Sequence, residues 1–124
     1  MILIDTNVFV DHLRGHEPAT KFFEALALRN DIIFSAITET ELVAGKECKE
    51  GDKKRLLLNF LRRWNKISVS NQIAVLAGDL ARDYSLDVPD AIIAATALVN
   101  EAELLTKNIR DFKNVSGLKV KAPY

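Results

Sequence analysis

The sequence predicts an α/β protein: a three-layer α/β/α sandwich around a central parallel sheet of four to five strands. Three observations carry this. The apolar runs Met1-Ile2-Leu3-Ile4 and Ile32-Ile33-Phe34 do not alternate with polar residues, as expected of strands buried on both faces in a parallel sheet. The stretches between strands carry apolar residues three and four apart, which is the helical period. The opening strand stops at Asp5 and a helical pattern starts at once, the first half of a strand–helix–strand unit. Strands separated by helices join in parallel through right-handed crossovers.

Taken in order, the first strand ends at Ile4. Asp5 or Thr6 caps a helix whose register runs through Phe9, Val10 and Leu13, and Gly15 stops it. Glu17-Pro18 opens a second helix, with Phe22, Phe23, Leu26 and Leu28 as its apolar side up to Arg29-Asn30-Asp31. Ile32–Ser35 is the second strand. A third helix starts with Thr38 as N-cap and Glu41 three residues on, a capping box, with Ile37 and Leu42 at the staple positions. It runs to Gly45, and Lys46–Asp52 reads as a charged loop or frayed turn. From Lys53 a fourth helix carries Leu56, Leu57, Phe60, Leu61 and Trp64. These are core residues, or in part a surface offered to another chain. Ile67-Ser68-Val69 is the third strand, and Ser70 or Asn71 starts a helix through Ile73, Leu76, Ala77, Leu80 and Tyr84. Asp87 caps the next helix, whose alanines let it lie close against a sheet. Glu103–Thr106 is the fourth strand, Asn108–Phe112 a single helical turn, and Leu118–Lys121 an alternating edge strand.

At 124 residues the chain fits one domain, 1–124, burying roughly two thirds of its unfolded surface. The 17 basic and 17 acidic residues cancel, so no basic footprint drives tight non-specific nucleic-acid binding. The single Cys48 forms no internal disulfide. No apolar stretch approaches the length of about 20 residues that spans a bilayer, and a cytoplasmic protein without membrane association is expected.

Chemistry is expected where acids meet. Glu41, Asp90 and Asp111 each follow a capping residue by three, and taken singly each is an ordinary first-turn acid that favours a helix dipole. Topology adds more. Helices that follow strands begin at the carboxyl edge of a parallel sheet, where ligands bind, which brings Asp5, Glu41 and Asp111 there. The helix of Asp90 precedes the fourth strand, runs back toward its start, and so begins at the same edge. Four carboxylates on one rim repel by on the order of 4 kcal/mol per pair at 4 Å in an effective dielectric near 20. Bound cations offset this, and an all-oxygen donor set without His or Cys favours Mg²⁺ or Mn²⁺. His12 and His16 read as surface residues, Asp11 as a residue of the solvent face and Asp87 as a cap.

Four segments resemble the signature blocks of PIN-domain proteins, in the family's order: Leu3–Asn7, Ser35–Gly45, Pro89–Ala97 and Leu105–Phe112. The resemblance spans the chain, and its compact size is similar to VapC-type toxins of toxin–antitoxin pairs. It implies an Mg²⁺- or Mn²⁺-dependent ribonuclease. Asp5, Glu41 and Asp90 would be the core metal-binding acids, and Asp111 would take the more variable fourth position, where some relatives carry an acid at the place of Asn108. Thr6, Asn7, Ser35, Thr106 and Asn108 would be supporting polar groups, with Thr106 touching metal-bound water or phosphate. The implied partners are an RNA substrate, a cognate antitoxin received near the third and fourth helices, and a second copy in a homodimer.

Two other readings compete. A haloacid-dehalogenase-type phosphotransfer domain also places an Asp after strand one, but it expects a second Asp two residues on, where this chain has Asn7. A PIN-like binding module without activity would have no need of four acids.

Overall fold

The computed structural model describes all 124 residues. Five parallel strands form the sheet: β1 (Ile2–Ile4), β2 (Ile32–Ser35), β3 (Asn65–Ile67), β4 (Glu103–Leu105) and β5 (Val120–Lys121), in the order β3-β2-β1-β4-β5. β1 therefore lies at the centre, between β2 and β4. Around the sheet run α1 (Thr6–Leu13), α2 (Glu17–Leu26), α3 (Ala36–Val43), α4 (Gly51–Leu61), α5 (Asn71–Tyr84), α6 (Val88–Val99) and α7 (Ile109–Phe112).

Strand alternation divides the core into two layers of different composition. Leu3, Ile33 and Leu104 point to one face, where α5 and α6 pack with Ala91, Ala94, Ala95 and Ala97 buried. Ile4, Ile32 and Phe34 point to the other, against Phe9 of α1, Phe23 of α2, Leu57 and Leu61 of α4, and Trp64. Small side chains let α6 lie close to the sheet. On the opposite face Phe9 sits 5.1 Å from Phe23 and 5.7 Å from Phe34 between ring centroids, and aromatic rings fix the seat of α1.

Several sequence expectations shift. Helix α3 starts directly from β2, with Ser35 as N-cap accepting from the Ile37 N–H at 3.1 Å, so Thr38 and Glu41 form no capping box. Thr38 lies inside the helix and is buried. Of the segment expected as a loop or frayed turn, Lys46–Lys49 forms a 3₁₀ turn, and α4 begins at Gly51, two residues early. β3 is Asn65–Ile67, exposed and polar at its first two residues, rather than Ile67–Val69, because its backbone pairs with Ile33–Ser35 at the sheet edge. The last strand is only Val120–Lys121. Leu57, Leu61 and Trp64 are core, while Leu56 is exposed and Phe60 half-buried. His12 is not a free surface residue. It lies three positions after Phe9 on the same helical face, stacks on Phe60 at 4.7 Å and bonds Thr20 Oγ1 at 3.0 Å. Burial, then the charge of Arg63, lowers its pKa.

Candidate active site at the carboxyl edge of the sheet

Each acid arrives at the rim by a different local device. Asp5 is the single residue between β1 and α1. Its backbone is extended, its N–H bonds Leu105 O at 3.0 Å, and its carbonyl accepts from the Val8 N–H at 3.1 Å. Its carboxylate is 3% exposed and bonded at both ends: Oδ1 accepts from the Thr6 N–H at 2.7 Å and Oδ2 from the Thr106 hydroxyl at 2.6 Å. Burial raises its pKa, the two hydrogen bonds oppose that, and the charges of Glu41 and Asp111 add to it.

Glu41 sits in the second turn of α3, on the exposed side facing the start of α1. A first-turn role toward the helix dipole does not apply to it. Its Oε1 accepts from the Thr6 hydroxyl at 2.8 Å, and the same hydroxyl lies 2.8 Å from that of buried Thr38. A hydroxyl has one proton. Since Thr6 gives its own to Glu41, Thr38 donates to Thr6, and a relay runs from the core of α3 out to the carboxylate. The sequence gives Thr38 no such part, because its capping-box reading assigns that hydroxyl to the backbone.

Asp90 lies in the first turn of α6, half-buried. No hydrogen bond supports its carboxylate. Burial, followed by the charges of Asp5, Asp87, Glu41 and Asp111, pushes its pKa up to about 6. Asp87 occupies the N-cap position but its side chain makes no capping bond, contrary to its expected role. Asp111, in α7, is exposed and acts by charge on both Asp5 and Asp90.

The supporting residues divide by contact. Ser35 is buried and caps the helix that carries Glu41. Thr106 is fully buried, and its hydroxyl donates to Asp5 while accepting from the Asn108 N–H at 3.0 Å and Asn7 Nδ2 at 3.4 Å. It has no capacity left to meet metal-bound water or phosphate, and it orients Asp5 instead. Asn7 spans the gap between α1 and the segment after β4.

An open cavity of about 330 Å³ lies among these groups, with Asp5, Glu41, Asp90, Asn7 and Asn108 in its wall. Asp111 lies outside that wall, so at the variable fourth position Asn108 is the group that lines the cavity. The wall also holds Asp11, Arg14 and Lys107, to which the sequence assigns no site role. Asp11 is not a free residue of the solvent face. Its Oδ2 pairs with Lys107 Nζ at 2.7 Å and accepts from the Tyr124 hydroxyl, contacts that hold its pKa below the usual carboxylate range. The only advance signal for Lys107 is its place between Thr106 and Asn108; nothing local marks Asp11 or Arg14.

The donor set is all oxygen, with neither His nor Cys in the cavity wall. That fits a hard divalent cation. In this side-chain arrangement no three of the acids stand within joint ligating reach of one ion. Asp5 is held at both carboxylate oxygens and Glu41 at one, whereas Asp90 has no hydrogen bond.

A second, larger cavity of about 780 Å³ adjoins the first, sharing Val10, Arg14 and Glu41 with it. Leu13, Leu56, Leu57 and Phe60 give it an apolar floor. No helix of the protein is long and apolar enough to cross a membrane.

Comparison with known proteins identifies the family and the fold. The family described as PIN domain matches residues 2–118. Ribonuclease VapC19 of Mycobacterium tuberculosis is 41% identical over 120 residues, covering 90% of this chain and 92% of that protein. Ribonuclease VapC10 of the same species is 30% identical over 124 residues, covering 96% and 91%. Among solved structures, a toxin–antitoxin complex from Klebsiella pneumoniae superposes with a TM-score of 0.84 at 33% identity, covering 100% of this chain and 98% of that one. VapBC2 from Rickettsia felis, bound to a DNA fragment from its promoter, gives 0.78 at 26% identity, with 98% of each chain covered.

Proposed function

We propose, from the premise that this chain belongs to the PIN-domain family, that it is a divalent-metal-dependent endoribonuclease and the toxin of a toxin–antitoxin pair. One observation carries the reading: carboxylates from four separate elements meet at one rim of the sheet, and Asp90 among them is held near pKa 6 with no partner in the chain. Asp5, Glu41 and Asp90 would hold Mg²⁺ or Mn²⁺, with Asp111 adding negative charge from beside the cavity. A cation held by them would lower the pKa of a coordinated water and neutralise charge on a phosphodiester.

The chain's own residues supply orientation. Thr106 and the Thr6 N–H aim Asp5 before any ligand arrives, and Thr6, itself supplied by Thr38, steadies Glu41. No histidine lies in the cavity wall to act as a base, so a carboxylate would take the proton from the attacking water. The 124 residues would work as one domain in the cytoplasm, as a homodimer that light scattering can check. An antitoxin segment would lie in the apolar cavity beside the site, reaching Glu41 and Arg14 where the two cavities meet.

The test is cleavage of RNA by the purified chain. We expect activity with Mg²⁺ or Mn²⁺, none in excess EDTA, and a loss of about a hundredfold or more in Asp5→Asn and in Asp90→Asn. Undiminished cleavage in chelator would remove the metal mechanism. Wild-type rates in Asp90→Asn would remove that residue from the site.

A further inference from the structure

The acidic cavity has two cations in its wall, Arg14 and Lys107, and only Lys107 is tied down. A lysine sharing a cavity wall with Asp5, Glu41 and Asp90 would ordinarily be drawn to them, since opposite charges attract strongly in a partly desolvated cleft. Here its ammonium lies 2.7 Å from Asp11 Oδ2, outside that set of acids. Asp11 is itself held: the same oxygen accepts from the Tyr124 hydroxyl, and the Tyr124 ring packs against His16 and Phe22 at 5.6 and 6.1 Å between centroids. Lys107 is anchored from its other side as well, because Thr106 before it is fully buried and bonded to Asp5.

An ammonium has three N–H donors. Asp11 engages one direction, and with the lysine side chain 42% exposed the others are open to solvent. An ammonium in the same cavity wall as the acids, yet paired with Asp11 rather than with them, is suited to an anion that must lie across the site. We propose that Lys107 is a substrate-positioning residue that binds a phosphate of the RNA strand beside the acids, and that Asp11, steadied by Tyr124, keeps it in place. This rests on the ribonuclease reading.

The experiment is steady-state cleavage of a single-stranded RNA oligonucleotide by the full chain at several salt concentrations. Lys107→Ala should raise KM about tenfold with kcat within about twofold, the loss expected for one charge-assisted hydrogen bond. The slope of log kcat/KM against log salt should become shallower by about 0.7, as one phosphate contact fewer requires. Lys107→Arg should retain most of the affinity. Asp11→Asn separates positioning from bulk charge by sign: removing an anion from the path of RNA should lower KM if only net charge matters, and should raise it severalfold if Asp11 keeps Lys107 off the acids. Tyr124→Phe keeps the ring and should raise KM less than Asp11→Asn does. An unchanged KM and salt slope in Lys107→Ala, or a lowered KM in Asp11→Asn, with the wild type cleaving normally, overturns this assignment alone. A wild type that cleaves no RNA overturns the ribonuclease reading and this one with it.

Discussion

Asp5 at the end of β1 and Asp90 at the start of α6 share one rim, yet they are held in opposite ways. Asp5 is almost fully buried and accepts hydrogen bonds at both oxygens, so its direction is set by the fold. Asp90 is half-buried, accepts none, and has the charges of four other acids acting on it. The two also rest on different cores. Rings of Phe9, Phe23 and Phe34 seat the helix that follows Asp5, whereas alanines bring α6 close to the sheet. The difference matches what the proposed cation site would require: one ligand oriented in advance, and another whose unfavourable charge a bound cation would relieve. Each side can be tested by removing what distinguishes it.

Among the changes that leave the rim acids in place or compare their supports, the largest effect is expected at the hydrogen bond that defines the Asp5 side. Thr106→Val keeps volume but leaves Asp5 Oδ2 and the Asn108 N–H without a partner in a buried place, at a cost of about 1–3 kcal/mol. Cleavage should fall by about 10- to 100-fold, the usual consequence of losing the group that orients a metal-binding side chain. Thr106→Ser should restore both. A Thr106→Val protein that melts and cleaves like wild type would mean that Asp5 needs no such orientation.

The Asp90 side should respond with the opposite sign. Its pKa in the folded chain, about 6, lies above the ordinary value of 3.8, so folding favours the protonated form. Below about pH 4 both states are protonated and nothing is lost. Between 4 and 6 the unfolded chain ionises while the folded one resists, and stability falls; above 6 the loss is complete. Asp90→Asn should remove that decline and make the metal-free protein more stable at pH 8, on the order of 1 kcal/mol given the solvent screening of a half-exposed carboxylate. Melting curves between pH 4 and 8 in EDTA decide it, and a metal-free Asp90→Asn protein that melts below wild type at pH 8 would refute the crowding of charge at this rim.

How far these two sides can be read from sequence follows from the range of the interactions. The acids are legible because a parallel sheet with alternating helices fixes which helix ends share an edge, and that argument reaches Asp90 although its helix runs before its strand. The details of α3 are not. Thr38 and Glu41 have the spacing of a capping box, but β2 passes into α3 with no intervening residue, so Ser35 takes the cap and Thr38 turns inward toward Thr6. The partnership of Asp11, Lys107 and Tyr124 joins residues far apart in the chain, and no local pattern records it. His12 is a different case: its spacing from Phe9 places it on the apolar stripe, and a stricter reading of the helical period would have put it against the rings. The polar β3 owes its strand to backbone pairing with β2, which composition does not reveal.

The smallest effect is expected at Asp87, and it asks whether the crowding at Asp90 comes from neighbouring charge as well as from burial. Asp87 has the backbone of an N-cap, and its carbonyl accepts from the Ala91 N–H at 2.9 Å, yet its side chain makes no capping bond and is exposed. A residue that caps through its side chain costs about 1 kcal/mol when truncated to alanine. A residue that acts by charge alone, on the surface, changes stability by no more than about 0.5 kcal/mol. Asp87→Ala should therefore melt within that smaller margin of wild type in EDTA. Its charge is one of those that raise the pKa of Asp90, so the carboxyl carbon of Asp90, followed by NMR, should titrate with a midpoint below that of wild type. A drop of about 1 kcal/mol would restore Asp87 to the cap that its position suggests. A normal melting temperature with an unmoved Asp90 midpoint would mean that Asp87 takes no part in holding Asp90 near pKa 6, and that burial with the charges of Asp5, Glu41 and Asp111 accounts for it.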